Sequence, residues 1–383
     1  WQTTIYTNSN SPLTVESGKG YFLNTTSGTI TINLPAGSAG DIVALKDYAN
    51  TWDNNSVTVT PNGSDKIGGS VGSANLSTES QSVTLIFADS TKGWLDIHDS
   101  TSNVQSAQYI TATGGTVTCT GDFKIHTFTG PGTFCVSNAG NAAGSNKVDY
   151  MVVAGGGGGG GRDHGSGGGA GGYRESPGSA SCYAASPLGV SPAVALSVPA
   201  TAYPITVGGG GAGRTVAPCS TGTSGANSVF STITSAGGGA GGGGPGLGLD
   251  GGSGGGGKNN NTQKGSGNTP SVSPPQGNDG GIAGYGSPHY GMGGGGGAGA
   301  AGAAGNPSAG GAGGGGVTSS INGTPTARAG GGGGSSYNGG TAGAGGAGGG
   351  GTGTTGTSSN GTAGTCNTGG GGGGGERSVP SVG

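Results

Sequence analysis

The sequence predicts an all-β chain with essentially no α-helix, in which N-terminal β-domains are followed by a glycine-rich stack of polyglycine II helices. Short runs of β-branched and aromatic residues, separated by turn residues, fill the first 154 positions. Glycine supplies 103 of the 383 residues. After Ala154 there are nine runs of at least four glycines, separated by polar connectors. Only the front part holds enough aliphatic and aromatic residues for a conventional core.

Composition also narrows the function. A formal charge of -3, 8% charged residues and the lack of any Lys/Arg cluster leave no electrostatic footprint for nucleic acid. No apolar run is long enough to span a bilayer, so membrane insertion is not expected. The chain opens on Trp1 with no charged-then-apolar leader, and is expected to begin within a longer or processed product.

In residues 1–100 the segments GYFLNTT, TITINLP, DIVALKDY, SVTVTPNG, QSVTLIFAD and KGWLDIHD read as strands of one small β-sandwich or barrel. Ile30, Ile32 and Leu34 alternate with Thr29, Thr31 and Asn33, the period of a half-buried strand. The expected core is Phe22, Ile30, Ile32, Leu34, Ile42, Val43, Leu45, Val57, Val59, Val83, Leu85, Phe87 and Trp94.

Residues 101–154 form a β-rich connector in which Gly130, Pro131 and Gly132 mark a hairpin. The cysteines at 119, 135, 182, 219 and 366 match no metal-binding spacing, and their odd number leaves at least one unpaired or paired between chains. Cys119 and Cys135 are placed either to form a disulfide or to serve as two small buried hydrophobes.

Residues 155–383 pose a physical problem, because glycine loses the most conformational entropy on folding and buries no side chain. As a flexible linker the tract would need no structure. The runs, however, recur with connectors between them. An extended threefold helix leaves every N–H and C=O pointing outward, and without Cβ atoms such helices approach closely enough to bond to neighbours on all sides. Each bond contributes about 0.5 to 1.5 kcal/mol net against about 1 to 2 kcal/mol per ordered residue, so the runs must fold together. Ala170, Ala240 and Ala298 are expected at helix ends or outer faces.

The segments GDFKIHTFTGPGTFCVSN and KVDYMVVAGGGGGGG resemble the lead-in to the glycine-rich domain of phage tail fibre and virion-associated proteins. Phe123, His126, Phe128, Phe134, Val148, Tyr150, Val152, Val153, Ala154 and Gly155 carry the match. The front segment YFLNTTSGTITINLPAGSAGDIVALKDYA with KGWLDI is similar to a small β-domain of marine phage fibres. More loosely, the C-terminal half resembles T-even-type distal adhesins. These resemblances imply an extracellular virion tail fibre, other tail proteins as partners, and a host surface receptor, either a glycan or an outer-membrane protein. Fibres project from symmetric virions, so a homo-oligomer, most plausibly a trimer, is expected. The alternative is a capsid decoration or head fibre, or another extracellular filament protein, without receptor specificity.

No enzyme and no cofactor are expected. The GxGxxG strings arise from composition and follow no βαβ unit. Asp163, Glu175, Asp250, Asp279 and Glu376 are too scattered for a paired-carboxylate hydrolase. Recognition is then expected in connectors, where side chains vary without unfolding the frame. The receptor-binding candidates are Arg162, Asp163 and His164; Tyr173, Arg174 and Glu175; Tyr285, His289 and Tyr290; and Tyr337 with Asn338. For the aromatics among them, packing over the flanks of the stack is the competing role.

Overall fold

A computed structural model describes residues 1–100, 108–141, 144–161, 164–178, 183–189, 195–213, 221–244, 246–258, 263–284, 286–356 and 359–375. It is all-β, and the helical content among the described residues is one 3-10 turn, Asn8–Asn10. Two compact units are present, Trp1–Ser106 and Ala107–Gly383.

The first unit is a sandwich. Its strands are β1 (Ile5–Thr7), β2 (Leu13–Thr14), β3 (Lys19–Asn24), β4 (Ile30–Asn33), β5 (Ile42–Asp47), β6 (Val57–Thr60), β7 (Ala74–Leu76), β8 (Ser82–Asp89) and β9 (Gly93–Ser100). One sheet runs β1-β3-β5-β8-β9 and the other β2-β4-β6-β7. Alternation in β4 and β6 buries Ile30, Ile32, Val57 and Val59 against Tyr21, Leu23, Val43, Leu45, Val83 and Leu85 of the facing sheet. Of the expected core, Phe22 and Ile42 face outward. Tyr21 and Leu23 take the inward positions of β3, and Val43 and Leu45 those of β5.

Trp52, fully buried, was not anticipated because it lies in a loop. The buried Asp47 carboxylate holds that loop by accepting from the N–H groups of Thr51, Trp52 and Ser80 at 3.1 to 3.2 Å.

The second unit begins with a β-collar. It contains β10 (Thr111–Thr113), β11 (Thr116–Thr120), β12 (Phe123–Thr127), β13 (Gly132–Asn138), β14 (Lys147–Val148), β15 (Tyr150–Val153), β16 (Tyr173–Ser176), β17 (Leu196–Ser197), β18 (Ala202–Thr206), β19 (Ser228–Phe230) and β20 (Ile233–Ser235). A hairpin of β21 (Val317–Ser319) and β22 (Thr326–Arg328) follows later in the chain. The main sheet runs β10-β13-β18-β19-β20, and Phe134, Tyr203 and Phe230 meet on it in mutual ring contact.

The Gly130-Pro131-Gly132 turn does not close a hairpin. β12 pairs with β11, while β13 pairs with β10 and β18, so the turn carries the chain from one sheet to another. This separation also decides the cysteines. Cys119 faces Lys124 in the β11–β12 ribbon, and Cys135 lies between Thr113 and Ala202 in the main sheet. Both are exposed free thiols, so neither a bridge between them nor burial is found. Cys182 and Cys219 lie outside the described residues.

Beyond the collar, the backbone of the glycine runs forms a three-dimensional hydrogen-bond lattice. The N–H groups of Ala154, Gly157 and Gly160 donate to the carbonyls of Gly172, Gly169 and Ser166, so the run reverses and returns antiparallel. Gly155 and Gly158 donate in the same way to Ala226 and Thr223. Gly155 and Gly158 also accept from Gly238 and Gly241, and Gly157 and Gly160 accept from Gly372 and Gly375, both in parallel. Bonds to any one neighbour recur every third residue, the period of an extended threefold helix.

Close approach explains the composition. A Cβ on Gly295 would overlap the Gly168 carbonyl, one on Gly168 the Gly157 carbonyl, and one on Gly160 the Gly242 carbonyl. Ala170, Ala240 and Ala298 are nevertheless buried, contrary to the expectation that alanine stays outside. At those positions the lattice has room for a methyl group. Larger polar side chains also enter where they replace a backbone group. The buried Gln276 accepts from Ala236 N–H at 2.8 Å and donates to the Pro270 carbonyl at 2.8 Å, acting as an additional peptide unit. Ser166 and Ser235 likewise donate to the carbonyls of Gly257 and Gly172.

Two substitutions test the lattice against a flexible tract. Gly295→Val is expected to abolish soluble, cooperatively melting protein. Gly315→Ala, where a Cβ would meet nothing within 4 Å, is expected to shift stability by less than about 1 kcal/mol. A parent-like melt for Gly295→Val would overturn the packed arrangement.

Candidate functional site

Where the chain reverses, as Ser166–Gly172 returns along Ala154–Gly160 and Thr223–Ala226 along Gly209–Ala212, its connectors fall at one end of the lattice or the other. The near end carries the collar and Tyr173, which follows the Ala154–Gly172 pair. The far end carries the reversal between Gly160 and Ser166.

At the near end, β15 pairs with β16 and places Tyr173 opposite Val153 and Glu175 opposite Met151. Tyr173 and Glu175 are 1% and 2% exposed. These two candidates are therefore interior residues, not surface contacts, because the strand pairing turns them under the connectors. Arg174, between them, is partly exposed. The Glu175 carboxylate accepts from the Tyr173 hydroxyl at 3.0 Å, the Ser186 N–H at 2.9 Å and the Ser319 hydroxyl at 2.5 Å. One carboxylate thus joins β16, the connector after it and the β21–β22 hairpin. Burial raises the Tyr173 and Tyr183 phenol pKa values, with the Glu175 charge adding to both. Burial also lowers that of the Arg328 guanidinium.

At the far end, three connectors converge. Ser335 N–H donates to the Gly165 carbonyl, and Met292 N–H to that of Ser335. Tyr337 N–H donates to the His289 carbonyl at 2.7 Å. These bonds bring the His164 ring to 5.0 Å from Tyr337, edge to face, and to 5.6 Å from Tyr290. Tyr290 and Tyr337 are 6.4 Å apart, also edge to face. His289 Nδ1 lies 3.2 and 3.0 Å from the carbonyls of Tyr337 and Asn338.

His164, Tyr290 and Asn338 all have left-handed backbones, with φ of 78°, 43° and 50°. Such conformations are uncommon outside glycine and concentrate where surrounding structure fixes a side chain for use. The rings are partly exposed and Asn338 is exposed. Of the expected binding residues, the far end thus unites His164, His289, Tyr290, Tyr337 and Asn338. Arg162, Asp163 and Tyr285 lie outside the described residues, as does Glu376.

Gln276, Ser186 and Ser319 were missed. Nothing in the sequence sets them apart from the other polar residues of the connectors. Among the described residues no group of three His, Cys, Asp or Glu side chains is placed to hold a metal, and no helix is long and apolar enough to cross a membrane.

Comparison with known proteins fits both units. Residues 129–383 match the family described as Glycine-rich domain, more than half of the chain, and the chain belongs to that family. Residues 1–96 match the N-terminal domain of Bacteriophage T4 gp9/10-like proteins. The two together define a structural protein of the phage tail and baseplate type. Baseplate wedge protein gp10 of Enterobacteria phage T4 is 34% identical over 90 residues, which cover 23% of this chain and 15% of that protein.

The near-end cluster yields a stability prediction with a definite sign. Glu175→Ala strands two hydroxyls and an N–H, and is expected to cost on the order of 3 kcal/mol in denaturant unfolding. A phenol held above its ordinary 10.0 stabilises the fold fully below that pH and loses the contribution as pH rises towards its folded value. Unfolding titrations should show the stability of this unit falling above pH 10, with a smaller fall in Tyr183→Phe.

Proposed function

We propose that this chain is a non-enzymatic virion tail fibre or baseplate-associated subunit that binds the host cell surface through the far-end connectors of its glycine-rich unit. The observation that carries the reading is the convergence of His164, Tyr290 and Tyr337 in one partly exposed cluster, with left-handed backbones at His164, Tyr290 and the adjoining Asn338. In this reading the glycine runs are polyglycine II helices, supported by the three-residue recurrence of their bonds. They act as a rigid mount for loops that can change.

The similarity of the front unit to a baseplate wedge protein supports a tail location over a head one, with other tail proteins as partners; the homotrimer rests on the symmetry of the virions from which fibres project. Three described carboxylates of the glycine-rich unit serve the frame. Glu175 is tied up as above, Asp250 accepts from Ser266 N–H, and Asp279 accepts from Gly267 N–H and Lys264. Those bonds hold the Asp279 carboxyl below the usual carboxylate range, with the Gly267 N–H as the largest cause.

Adsorption competition with purified protein tests this. Tyr290→Ala and Tyr337→Ala are expected to keep the parent melting temperature within the shift of about 1 kcal/mol while losing tenfold or more of their protection of host cells against phage. Full protection by both variants would move recognition elsewhere.

A further inference from the structure

The chain holds four Asn–Gly pairs, Asn62–Gly63, Asn322–Gly323, Asn338–Gly339 and Asn360–Gly361. In such a pair the peptide nitrogen of the glycine can attack the side-chain amide of the asparagine, because no Cβ on the glycine crowds the approach. Two conditions govern the attack. The nitrogen has to lose its proton, which moves negative charge onto the asparagine carbonyl oxygen. Neither reacting group can be held in another hydrogen bond.

The far-end pair meets both conditions. Asn338 and Gly339 are the exposed central residues of a turn, with φ of 50° and 84°, closed by the Gly340 N–H on the Tyr337 carbonyl at 3.4 Å. Among the described residues neither the Asn338 side chain nor the Gly339 N–H makes a hydrogen bond. The Asn338 carbonyl oxygen, in contrast, faces His289 Nδ1 at 3.0 Å, and the Tyr337 carbonyl faces the same nitrogen at 3.2 Å. Carbonyls only accept, which assigns the proton to Nδ1. The frame fixes this histidine. Its N–H donates to the Pro307 carbonyl at 3.0 Å, its carbonyl accepts from Tyr337, and a Cβ on Gly340 would overlap its own Cβ.

We propose that Asn338 is a site of spontaneous deamidation promoted by His289. The Gly339 N–H gives its proton to water, and the nitrogen forms a bond to Asn338 Cγ. The Cγ–Nδ2 bond breaks, and Nδ2 leaves as ammonia with a proton taken from water, closing a cyclic imide. Water then adds to either imide carbonyl and opens the ring to aspartate or isoaspartate. No atom is oxidised or reduced. The His289 Nδ1–H acts in the first step, donating to the oxygen on which charge develops. The product places a carboxylate beside the His289 imidazole, on the connector that carries Tyr337. The charge of the far-end cluster therefore changes with the age of the protein, whatever the cluster binds.

Two other pairs show what is missing elsewhere. The Asn322 side chain is engaged by the Thr326 hydroxyl, and the Gly323 N–H donates to the Ser320 carbonyl at 2.8 Å. Asn62 is exposed, and its carbonyl accepts from the peptide N–H of Asp65 in place of an imidazole.

The test is to age the purified full chain at neutral pH in heavy-oxygen water and to quantify aspartate and isoaspartate at each pair by peptide mass spectrometry. Both products are expected at position 338 sooner than at 62, with 322 intact. His289→Ala should slow the reaction at 338 by about fivefold, the worth of one hydrogen bond, and leave 62 unchanged. His289→Asn, which keeps a side-chain N–H donor, should retain most of the rate. An intact Asn338 in a sample already deamidated at Asn62 would overturn the site. A rate at 338 that is unchanged or raised in His289→Ala would overturn the part given to the imidazole.

Discussion

Everything in the second unit depends on backbone groups reaching each other across distances that a Cβ would block. Gly168 shows the constraint directly. Its N–H donates to the Gly372 carbonyl, its own carbonyl accepts from Gly332, and that same oxygen sits where Cβ atoms on Gly295 and Gly371 would lie. A conventional core gains stability from apolar area removed from water. This lattice gains it from satisfying nearly every donor and acceptor at once. Such an arrangement is cooperative, since an isolated run would leave most of its polar groups unpaired.

The side chains admitted to the lattice follow from the same constraint. Serine hydroxyls and the Gln276 amide enter because they present the hydrogen-bonding pattern of the backbone they displace. Glu175 enters because three donors from separate segments meet its oxygens. At the far end the backbone bonds set the ring cluster. The connectors holding His164, Tyr290 and Tyr337 are fixed by N–H groups of Ser335, Met292 and Tyr337 itself. The side chains there are positioned by the frame more than by one another.

Much of this was legible in the sequence, for identifiable reasons. Strict alternation in Ile30–Asn33 and Val57–Thr60 announced which residues face inward. The segment GYFL has consecutive large residues, so its parity could not be read, and Phe22 was placed on the wrong side. Repeated glycine runs announced a stack. The meeting of His164, Tyr290 and Tyr337 across more than 170 positions depends on which end of the lattice each connector occupies, and that in turn depends on counting reversals through the whole unit. Tyr173 and Glu175 resembled other polar connector residues. Their inward parity on β16, under the following connector and the β21–β22 hairpin, buries them.

The three-residue recurrence has a consequence for how such a chain can diverge. One residue inserted within a run turns everything after it by a third of a circle, so each later N–H addresses the wrong neighbour. Three inserted residues restore the direction and lengthen the rod by one turn, about 9 Å. Length variation inside the runs should therefore be quantised in threes, while the far-end connectors can grow by any number. A family built on this lattice can explore loop length freely and rod length only in whole turns.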